Sequence, residues 1–499
     1  MEEQLEKFKN QFPYILLFGT GQMALPLKRH LEKYRIPIQG MIVSHKSETM
    51  FDGIPVYELG EITFDLGKCG IVLALLSKAH EEVFLALRRY GFNHFFQFDD
   101  EQLRKYLHDF NTLTMEKLQP YCAYIPQKQE HPLSWGHILI IRLDGIGDNV
   151  MMTPFLRELR RNHPESFITL LISEVSYNLF EICPHVDEVI PIRTANFTQG
   201  YLEDRLQNAK SFMETILHGR KVDVAMVPRW DIDYYGASFL SFFSGAKYSM
   251  AYSEKVLAAK GEANKNYDLL FSFVIEDCSM RHEVERNLDF LRAVGCSVEN
   301  DALELWDNEE DKAVADDLLS EFAAMEGRRI IAVGLSAGLE RKKWDHKRYL
   351  ELILRISKEY DALFFVLLGG NDAYGVADEI THGFSGTNII NLVGKLTLRQ
   401  SFSLLKQAFM YVGNDTGIMH IAAAAGIRIL EISSFPRDDY LYDCTTYRFR
   451  PWGVPCYIAQ PETGRDDCRG LCQEPYAHCI NDVSVDEVYS GFKELLNGI

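Results

Sequence analysis

Three segments of this 499-residue sequence repeat one local pattern, and that pattern limits the folds open to the chain. Each segment has a short apolar run, a turn that contains glycine, and then a helix-like stretch. The segments occupy residues 14–34, 137–164 and 329–360, and further apolar runs follow at 166–173, 362–370 and 426–434. Strands that alternate with helices build parallel sheets from βαβ units. The sequence therefore predicts an α/β protein with three Rossmann-like units.

Two segments that lack this alternation separate the units. Residues 118–136 are rich in proline and polar residues, which is typical of a linker. The acidic stretch 306–327 has the pattern of a solvated amphipathic helix that joins the second unit to the third. A chain of this length is also too long for one ordinary core. We therefore predict domains at 1–125, 132–310 and 311–499.

The overall charge of the chain argues against a nucleic-acid partner. The net charge is −19, whereas proteins that bind nucleic acid normally present a basic face to the phosphates. No run of about 18 apolar residues occurs, so we predict no transmembrane helix. The N-terminal sequence lacks the pattern of a signal peptide, which predicts a cytoplasmic protein. Peripheral contact with the inner face of the membrane and the oligomeric state stay open.

One short stretch is strongly basic against this acidic background. Residues 341–348 contain five lysines and arginines and one histidine: Arg341, Lys342, Lys343, His346, Lys347 and Arg348. A solvated helix start is one interpretation of such a charge run. The other is a binding site for a small anionic ligand.

The first repeat contains a glycine turn of the type that binds phosphate. Gly19, Gly21 and Ala24 form G-x-G-x-x-A between a predicted strand and a predicted helix, which is suited to holding a pyrophosphate. Dinucleotide-binding units usually also carry an acidic residue after the second strand. Residues 38–48 have Ser44, His45 and Lys46 there instead, so NAD chemistry is not expected. The unit resembles the nucleotide-sugar-binding N-terminal unit of some bacterial carbohydrate enzymes; the alternative is a structural unit that binds nothing.

The second and third repeats carry a more specific resemblance. The stretches "IIRLDGIGDNVMMTPFLRELRRNHP" (140–164) and "YVGNDTGIMHIAAAAG" (411–426), together with "KKW" and "GGND", resemble glycosyltransferase family 9, the heptosyltransferases of bacterial lipopolysaccharide synthesis. The resemblance covers about 137–490. It implies a GT-B fold, with two facing Rossmann-like domains that bind acceptor and nucleotide sugar.

The resemblance also implies an activity. Family members transfer a sugar with inversion and without a catalytic metal, so we expect no cofactor for catalysis. The expected donor is ADP-heptose, and the expected acceptor is lipopolysaccharide core, another surface glycan or a protein. The alternatives are a different nucleotide sugar or a protein that binds a nucleotide sugar without catalysis.

Asp148 is the candidate catalytic residue. Inverting transfer needs a general base that deprotonates the acceptor hydroxyl. Asp148 follows Gly145 and Gly147 at a predicted strand end, where ligands of α/β sheets gather. The residues alone favour a helix cap at this position, since aspartate caps well, whereas the resemblance favours the base. Asp144 is the second candidate.

The resemblance places the donor on the third repeat. It puts a phosphate-contacting lysine at Lys342, or at Lys343 one position on, and the helix that begins near Thr416 offers backbone N–H groups to a diphosphate. Asp415 is expected to order the turn or to bind the donor. His420 is expected to contact the same donor, and the alternative for His420 is a purely structural role. The predicted donor-binding residues are Lys342, Lys343, Asp415, Thr416, Gly417, His420, Gly369 and Gly370.

Four cysteines lie close together near the C-terminus. Cys456, Cys468, Cys472 and Cys479 fall within 24 residues, and thiolates in such number suit a structural site for zinc or iron. Family members often carry cysteines in this region, and some of them bind iron. The alternative is four thiols without a metal.

Overall fold

The computed structural model describes residues 2–128, 135–323, 329–438, 445–465, 474 and 476–498. The chain forms two compact units: one comprises 1–118 with 199–207, and the other comprises 119–198 with 208–499. Three sheets of mainly parallel strands, with helices, confirm the predicted α/β class. The division at 1–125, 132–310 and 311–499 stays a prediction, and the structure adds that residues 199–207 group with the first unit.

The first unit contains one six-stranded sheet, in the order β3-β4-β2-β1-β5-β6. All neighbouring strands are parallel except β3 and β4. The strands are β1 (Tyr14–Phe18), β2 (Gly40–Val43), β3 (Met50–Phe51), β4 (Ile54–Glu58), β5 (Cys69–Leu73) and β6 (Phe95–Gln97). The helices are α1 (Glu2–Gln11), α2 (Ala24–Lys33), α3 (His80–Arg89), α4 (Asp100–Asn111) and α5 (Met115–Leu118).

The second unit begins with a parallel sheet of order β12-β11-β10-β7-β8-β9. Its strands are β7 (His137–Arg142), β8 (Phe167–Ser173), β9 (Glu188–Ile192), β10 (Val224–Val227), β11 (Tyr248–Tyr252) and β12 (Phe273–Ile275). The helices along this stretch are α6 (Ile146–Met151), α7 (Thr153–Asn162), α8 (Tyr177–Phe180), α9 (Ala195–Thr198), α10 (Leu202–Leu217), α11 (Ala237–Phe243), α12 (Ala258–Ala263), α13 (Glu283–Ala293) and α14 (Glu309–Ala323).

The second sheet of this unit has the order β15-β14-β13-β16-β17-β18 and is also parallel. Its strands are β13 (Arg329–Gly334), β14 (Leu363–Leu368), β15 (Ile389–Asn391), β16 (Met410–Asn414), β17 (Arg428–Ile432) and β18 (Cys456–Ala459). The helices are α15 (His346–Glu359), α16 (Tyr374–Gly383), α17 (Leu398–Leu405), α18 (Gly417–Ala424), α19 (Thr445–Phe449) and α20 (Val485–Asn497).

The central strands are buried on both faces, as the continuous apolar runs predict. Every residue of β7, β14 and β16 is buried. Register also fixes one pair of glycines, Gly334 and Gly413, on adjacent strands. A Cβ on Gly334 would lie 2.0 Å from the Tyr411 hydroxyl, and a Cβ on Gly413 would lie 2.5 Å from the Gly334 carbonyl oxygen. The two glycines therefore give Tyr411 room beneath the turns that follow these strands.

Within the described residues, none of the helices has the length and apolar character needed to cross a membrane.

Candidate functional site

The second unit contains a cleft of about 1000 Å³ at the carboxyl ends of its two sheets. The turns after β7 and β10 line one side, and the turns after β13, β14 and β16 line the other. In both sheets the order of strands reverses between the strands that flank the cleft: β7 and β10 in the first sheet, β13 and β16 in the second. Ligands of open α/β sheets bind at such reversals.

Two glycine-containing turns meet in this cleft. A Cβ on Gly147, in the first turn of α6, would lie 2.5 Å from His420 Cδ2. A Cβ on Gly417, at the start of α18, would lie 2.7 Å from Ile146 Cβ. Real side chains do not tolerate such approaches, so only glycine at both positions allows the two helices to come this close. The sequence motifs "DGIGD" and "NDTG" are therefore in mutual contact.

Asp148 lines the cleft from the first turn of α6. The cap residue of that helix is Gly145, so Asp148 is not its N-cap. The Asp148 side chain is 27% exposed, and its Oδ1 lies 3.7 Å from Arg142 Nη2. Burial raises the pKa of Asp148 to about 6; Arg142 opposes this rise, and the carboxylates of Glu283 and Asp231 add to it. A carboxylate with such a pKa is suited to accept a proton near neutral pH.

Asp144, the second candidate base, has a different environment. It is 3% exposed. The Arg142 guanidinium contacts its Oδ2, and the Arg229 guanidinium contacts its Oδ1. Both carboxylate oxygens are thus engaged by buried cations, and Asp144 is absent from the lining of the cleft. Of the two aspartates, only Asp148 lines the cleft.

Lys342 and Asp415 form an ion pair on the opposite side of the cleft. Lys342 Nζ donates a hydrogen bond of 2.7 Å to Asp415 Oδ2. Burial raises the pKa of Asp415, but the charge and the hydrogen bond of Lys342 outweigh it and hold the pKa below its usual value. The pair therefore keeps both charges, with the ammonium at the cleft surface.

Asn414 holds the two turns of this ion pair together. Its Oδ1 accepts hydrogen bonds from the backbone N–H of Trp344 and from the Tyr349 hydroxyl, both 3.0 Å long. Its Nδ2 donates to the carbonyl oxygen of Leu335 at 3.2 Å. The side chain is completely buried. The asparagine of "GNDTG" thus connects the turn after β16 to the basic segment that carries Lys342.

The N-terminus of α18 faces the same space. Thr416 is the cap residue, and its hydroxyl accepts the N–H of Ile418 at 3.3 Å. Thr416, Gly417 and Ile418 all line the cleft. The positive end of the helix dipole is therefore accessible to an anion in the cleft.

His420 lies one turn further along α18 and is 4% exposed. Burial lowers its pKa to about 4, although Asp415 opposes this effect. Its ring is therefore neutral at physiological pH. Its Nδ1 has no hydrogen-bond partner in the described part of the chain. The contact of His420 with the donor therefore stays a prediction, and a structural role stays its alternative.

Lys343 is oriented differently from Lys342. Its Nζ pairs with Glu340 at 2.6 Å and with Asp372 at 3.2 Å. Asp372 Oδ1 also accepts a hydrogen bond from the Ser336 hydroxyl, and the Gly370 N–H donates to that same hydroxyl at 2.7 Å. A Cβ on Gly369 would lie 2.6 Å from Ser336 Oγ. The two glycines after β14 therefore form a compact turn with Ser336 at the edge of the cleft.

The sequence model of the family described as glycosyltransferase family 9 (heptosyltransferase) matches residues 244–432, which include every predicted donor-binding residue. This part of the chain therefore matches glycosyltransferase family 9. The resemblance predicted from the sequence is thereby confirmed, and the protein is a transferase enzyme that acts on sugars.

Individual relatives are heptosyltransferases of low sequence identity. Lipooligosaccharide heptosyltransferase 2 of Haemophilus ducreyi is 26% identical over 300 residues, which are 58% of this chain and 79% of the relative. Lipopolysaccharide heptosyltransferase 3 of Escherichia coli is 21% identical over 316 residues, 61% of this chain and 82% of the relative.

Solved structures share the fold of this glycosyltransferase. A family 9 glycosyl transferase from Veillonella parvula aligns with a TM-score of 0.61 at 18% identity, covering 74% of this chain and 100% of that one. The E. coli ADP-heptose lipopolysaccharide heptosyltransferase II aligns with a TM-score of 0.53 at 20% identity, covering 72% and 98%. The GT-B fold expected for the second unit is confirmed.

Several residues at the site of this glycosyltransferase were missed by sequence reasoning. Arg142 and Glu431 are charged residues within the mostly apolar strands β7 and β17, and that contrast was an available signal. Glu283, Tyr235 and Arg448 gave no such signal, because only the tertiary structure brings them to the cleft or beneath it.

The remaining predicted sites stay predictions. Gly19 has a φ of +100°, which favours glycine, and nothing lies within 4 Å of a Cβ on Gly21, so the turn after β1 is open. Cys468 and Cys472 lie outside the described residues. Of the other two cysteines, Cys456 is exposed and Cys479 is buried. Among the described residues, no three histidine, cysteine or acidic side chains are grouped as a metal site would require.

Proposed function

We propose that the protein transfers heptose from ADP-heptose to a hydroxyl group of a bacterial surface glycan, with inversion and without a catalytic divalent metal. The observation that carries this proposal is the placement of Asp148 in one cleft with the Lys342–Asp415 pair and the N-terminus of α18. The cleft thus offers a base on one side and an anion-binding surface on the other.

Asp148 acts as the general base in this proposal. As the acceptor oxygen attacks the anomeric carbon, its proton passes to the Asp148 carboxylate, and the bond from the anomeric carbon to the diphosphate breaks. A pKa of about 6 matches the task, because the residue is largely ionised at neutral pH yet basic enough to take the proton. Tyr235, which lines the cleft beside the turn of Asp148, contributes to the acceptor side.

The departing diphosphate is stabilised by groups of the protein. Lys342 supplies an ammonium, and α18 supplies backbone N–H groups and the positive end of its dipole. Gly417 allows this helix end to lie against α6, because a Cβ there would be 2.7 Å from Ile146 Cβ. Neutral His420 has an unpartnered Nδ1 within the described structure and is positioned to contact the same group. Gly369 and Gly370 bring backbone close to the nucleoside, with Lys343 held at their side by Asp372.

The identity of the donor sugar rests on the relatives. Two of them are heptosyltransferases of lipooligosaccharide and lipopolysaccharide, and one similar structure is described as an ADP-heptose enzyme. The acceptor is accordingly lipopolysaccharide core, a related surface glycan or a protein. For the first unit, we propose a nucleotide-sugar site at the turn of Gly19 and Gly21.

A thermal-shift screen of nucleotide sugars tests the donor. A ligand present at about 100 times its dissociation constant stabilises the folded protein by roughly 2.7 kcal/mol. We expect ADP-heptose and ADP to give the largest shifts, and Lys342→Met to reduce them. A larger shift with another nucleotide sugar would replace the donor assignment.

Replacement of Asp148 tests the base. We expect Asp148→Asn to bind ADP-heptose as the wild type does and to lose about 10²–10⁴-fold in its turnover. Asp345→Asn is the matched control, because Asp345 caps α15 outside the cleft and asparagine caps a helix equally well. Full turnover in Asp148→Asn would reject Asp148 as the base. Donor binding without turnover in the wild type would instead indicate a nucleotide-sugar-binding protein.

A further inference from the structure

Arg448 connects the C-terminal part of the chain to the environment of Asp148. It lies in α19, is 1% exposed, and points into the first sheet of the second unit. Its Nε donates to Glu283 Oε2 at 2.8 Å, and its Nη1 donates to Asp231 Oδ2 at 2.9 Å. Its neighbour Phe449 lines the cleft. One helix of five residues therefore contributes both to the wall of the site and to the charges beneath it.

Glu283 also binds Arg142, so it connects Arg448 to Arg142. Its Oε1 accepts a 2.7 Å hydrogen bond from Arg142 Nη2, the same nitrogen that lies 3.7 Å from Asp148 Oδ1. Glu283 and Arg142 are both completely buried. The two oxygens of Glu283 are thus divided between two guanidinium groups, and Arg142 is left to face both Glu283 and Asp148.

The charges around Asp148 come from every element packed against it. They are Arg142 of β7, Asp144 of the following turn, Arg229 and Asp231 of the turn after β10, Glu283 of α13 and Arg448 of α19; α18 contributes His420. Without Arg448, this cluster has four carboxylates, counting Asp148, against two guanidinium groups and the buried ammonium of Lys260, whose charge interacts with Asp231. Removal of one buried cation therefore leaves excess negative charge next to the base.

We infer that Arg448 is a positioning residue for the base: by neutralising Glu283 and Asp231, it leaves Arg142 available to orient Asp148 and to favour its carboxylate form. This inference rests on the proposed role of Asp148. It gives α19 a function in catalysis, although Arg448 itself is not among the residues that line the cleft.

The direction of the effect follows from electrostatics. The positive charge of Arg448 lowers the pKa of Asp148, whereas the negative charge of Asp231 raises it. Loss of Arg448 should therefore move the titration of the base to higher pH, and loss of the Asp231 charge should move it to lower pH. A purely structural role would change the overall rate or the stability in both variants without opposite shifts in the pH profile.

The experiment measures the pH dependence of kcat for hydrolysis of ADP-heptose, in which water takes the place of the acceptor. We expect the acid limb of the kcat–pH profile to move to higher pH in Arg448→Gln, to move by a smaller amount in the same direction in Arg448→Lys, and to move to lower pH in Asp231→Asn. A rise of one pH unit from about 6 would reduce the ionised fraction at pH 6 about five-fold. KM for ADP-heptose should stay within about two-fold, because the donor-binding residues are on the other sheet.

Arg399→Gln is the matched control. Arg399 is also a largely buried arginine that binds two carboxylates of the second unit, Asp311 and Glu181, but it has no contact with the cluster around Asp148. The acid limb of the kcat–pH profile of Arg399→Gln should stay at the wild-type position. An unshifted acid limb in both Arg448→Gln and Asp231→Asn would overturn the inference. If Asp148→Asn retained activity, the proposed base would fail first, so the two failures are distinguishable.

Discussion

The His420 ring lies so close to Gly147 that a Cβ on this glycine would be 2.5 Å from His420 Cδ2. The contact joins the first turn of α6 to the middle of α18, and these helices carry the proposed base and the proposed diphosphate site. Because this contact is so close, α6 and α18 can hold their present separation only if residue 147 has no side chain.

We predict that Gly147→Ala reduces turnover and lowers the free energy of unfolding by about 1–3 kcal/mol, as overpacking usually does. Chemical denaturation and donor turnover measure the two effects. Gly338→Ala is the control, because Gly338 lines the same cleft and has no heavy atom within 4 Å of its added Cβ. The double variant Gly147→Ala/His420→Ala should regain part of the stability. Wild-type behaviour of Gly147→Ala would contradict the packing described.

Asp148→Asn should be more stable than the wild type above pH 6. The folded-state pKa of Asp148 is raised to about 6, so its contribution to stability is present below its unfolded pKa and is lost as pH rises through about 6. Asparagine does not titrate. We therefore expect a gain of about 1–3 kcal/mol at pH 8 and little difference near pH 3.5, measured by denaturant unfolding. A gain that is independent of pH would contradict the raised pKa.

Lys342→Met should reduce binding of ADP and destabilise the folded protein. Loss of the ammonium leaves Asp415, which is 9% exposed, without its ion-pair partner, and we expect a cost of about 1–3 kcal/mol. The double variant Lys342→Met/Asp415→Asn should recover stability but not ADP affinity, as measured by unfolding and by calorimetry. Lys343→Met is the control, and its smaller loss of affinity would confirm that Lys342 holds the phosphate. Equal losses in both lysine variants would leave the two positions equivalent.

Glu431 should make the stability of the protein depend on pH in the opposite sense to an ordinary surface carboxylate. It is 2% exposed, and its Oε2 has no partner in the described structure. Burial raises its pKa well above the usual value, and Asp415 adds to the rise. Its stabilising contribution is therefore lost as pH increases above the unfolded pKa. Relative to the wild type, Glu431→Gln should gain stability between pH 4.5 and pH 8; a constant difference would contradict this.

The cysteine site predicts bound metal in the purified protein. We expect zinc or iron at about one equivalent by mass spectrometry, and a loss of that metal in Cys456→Ser and Cys479→Ser. Cys278→Ser is the control, because Cys278 is an exposed cysteine far from these positions in the sequence. Purified protein without either metal would remove the prediction.

The repeated strand, glycine turn and helix pattern was sufficient to predict the three parallel sheets. Local alternation of apolar runs with helical stretches is a property of the sequence alone, and it holds at β1, β7 and β13. The glycine-containing turns were predictable for the same reason, since each directly follows an apolar run. The helix cap considered for Asp148 was not correct, because Gly145 already occupies that position.

The sequence by itself determined which turns end the central strands, and therefore which residues stand at the ligand-binding edges: Asp148 in one sheet, and Lys342, Asp415 and Thr416 in the other. Tertiary structure alone decided how these edges meet. The contact of Gly147 with His420, the pairing of Lys342 with Asp415, and the chain of Arg448, Glu283 and Arg142 beneath Asp148 all join residues far apart in sequence. Their charges and shapes act on one another only over a few ångströms. Local sequence patterns do not show which residues of distant segments come that close in the folded protein.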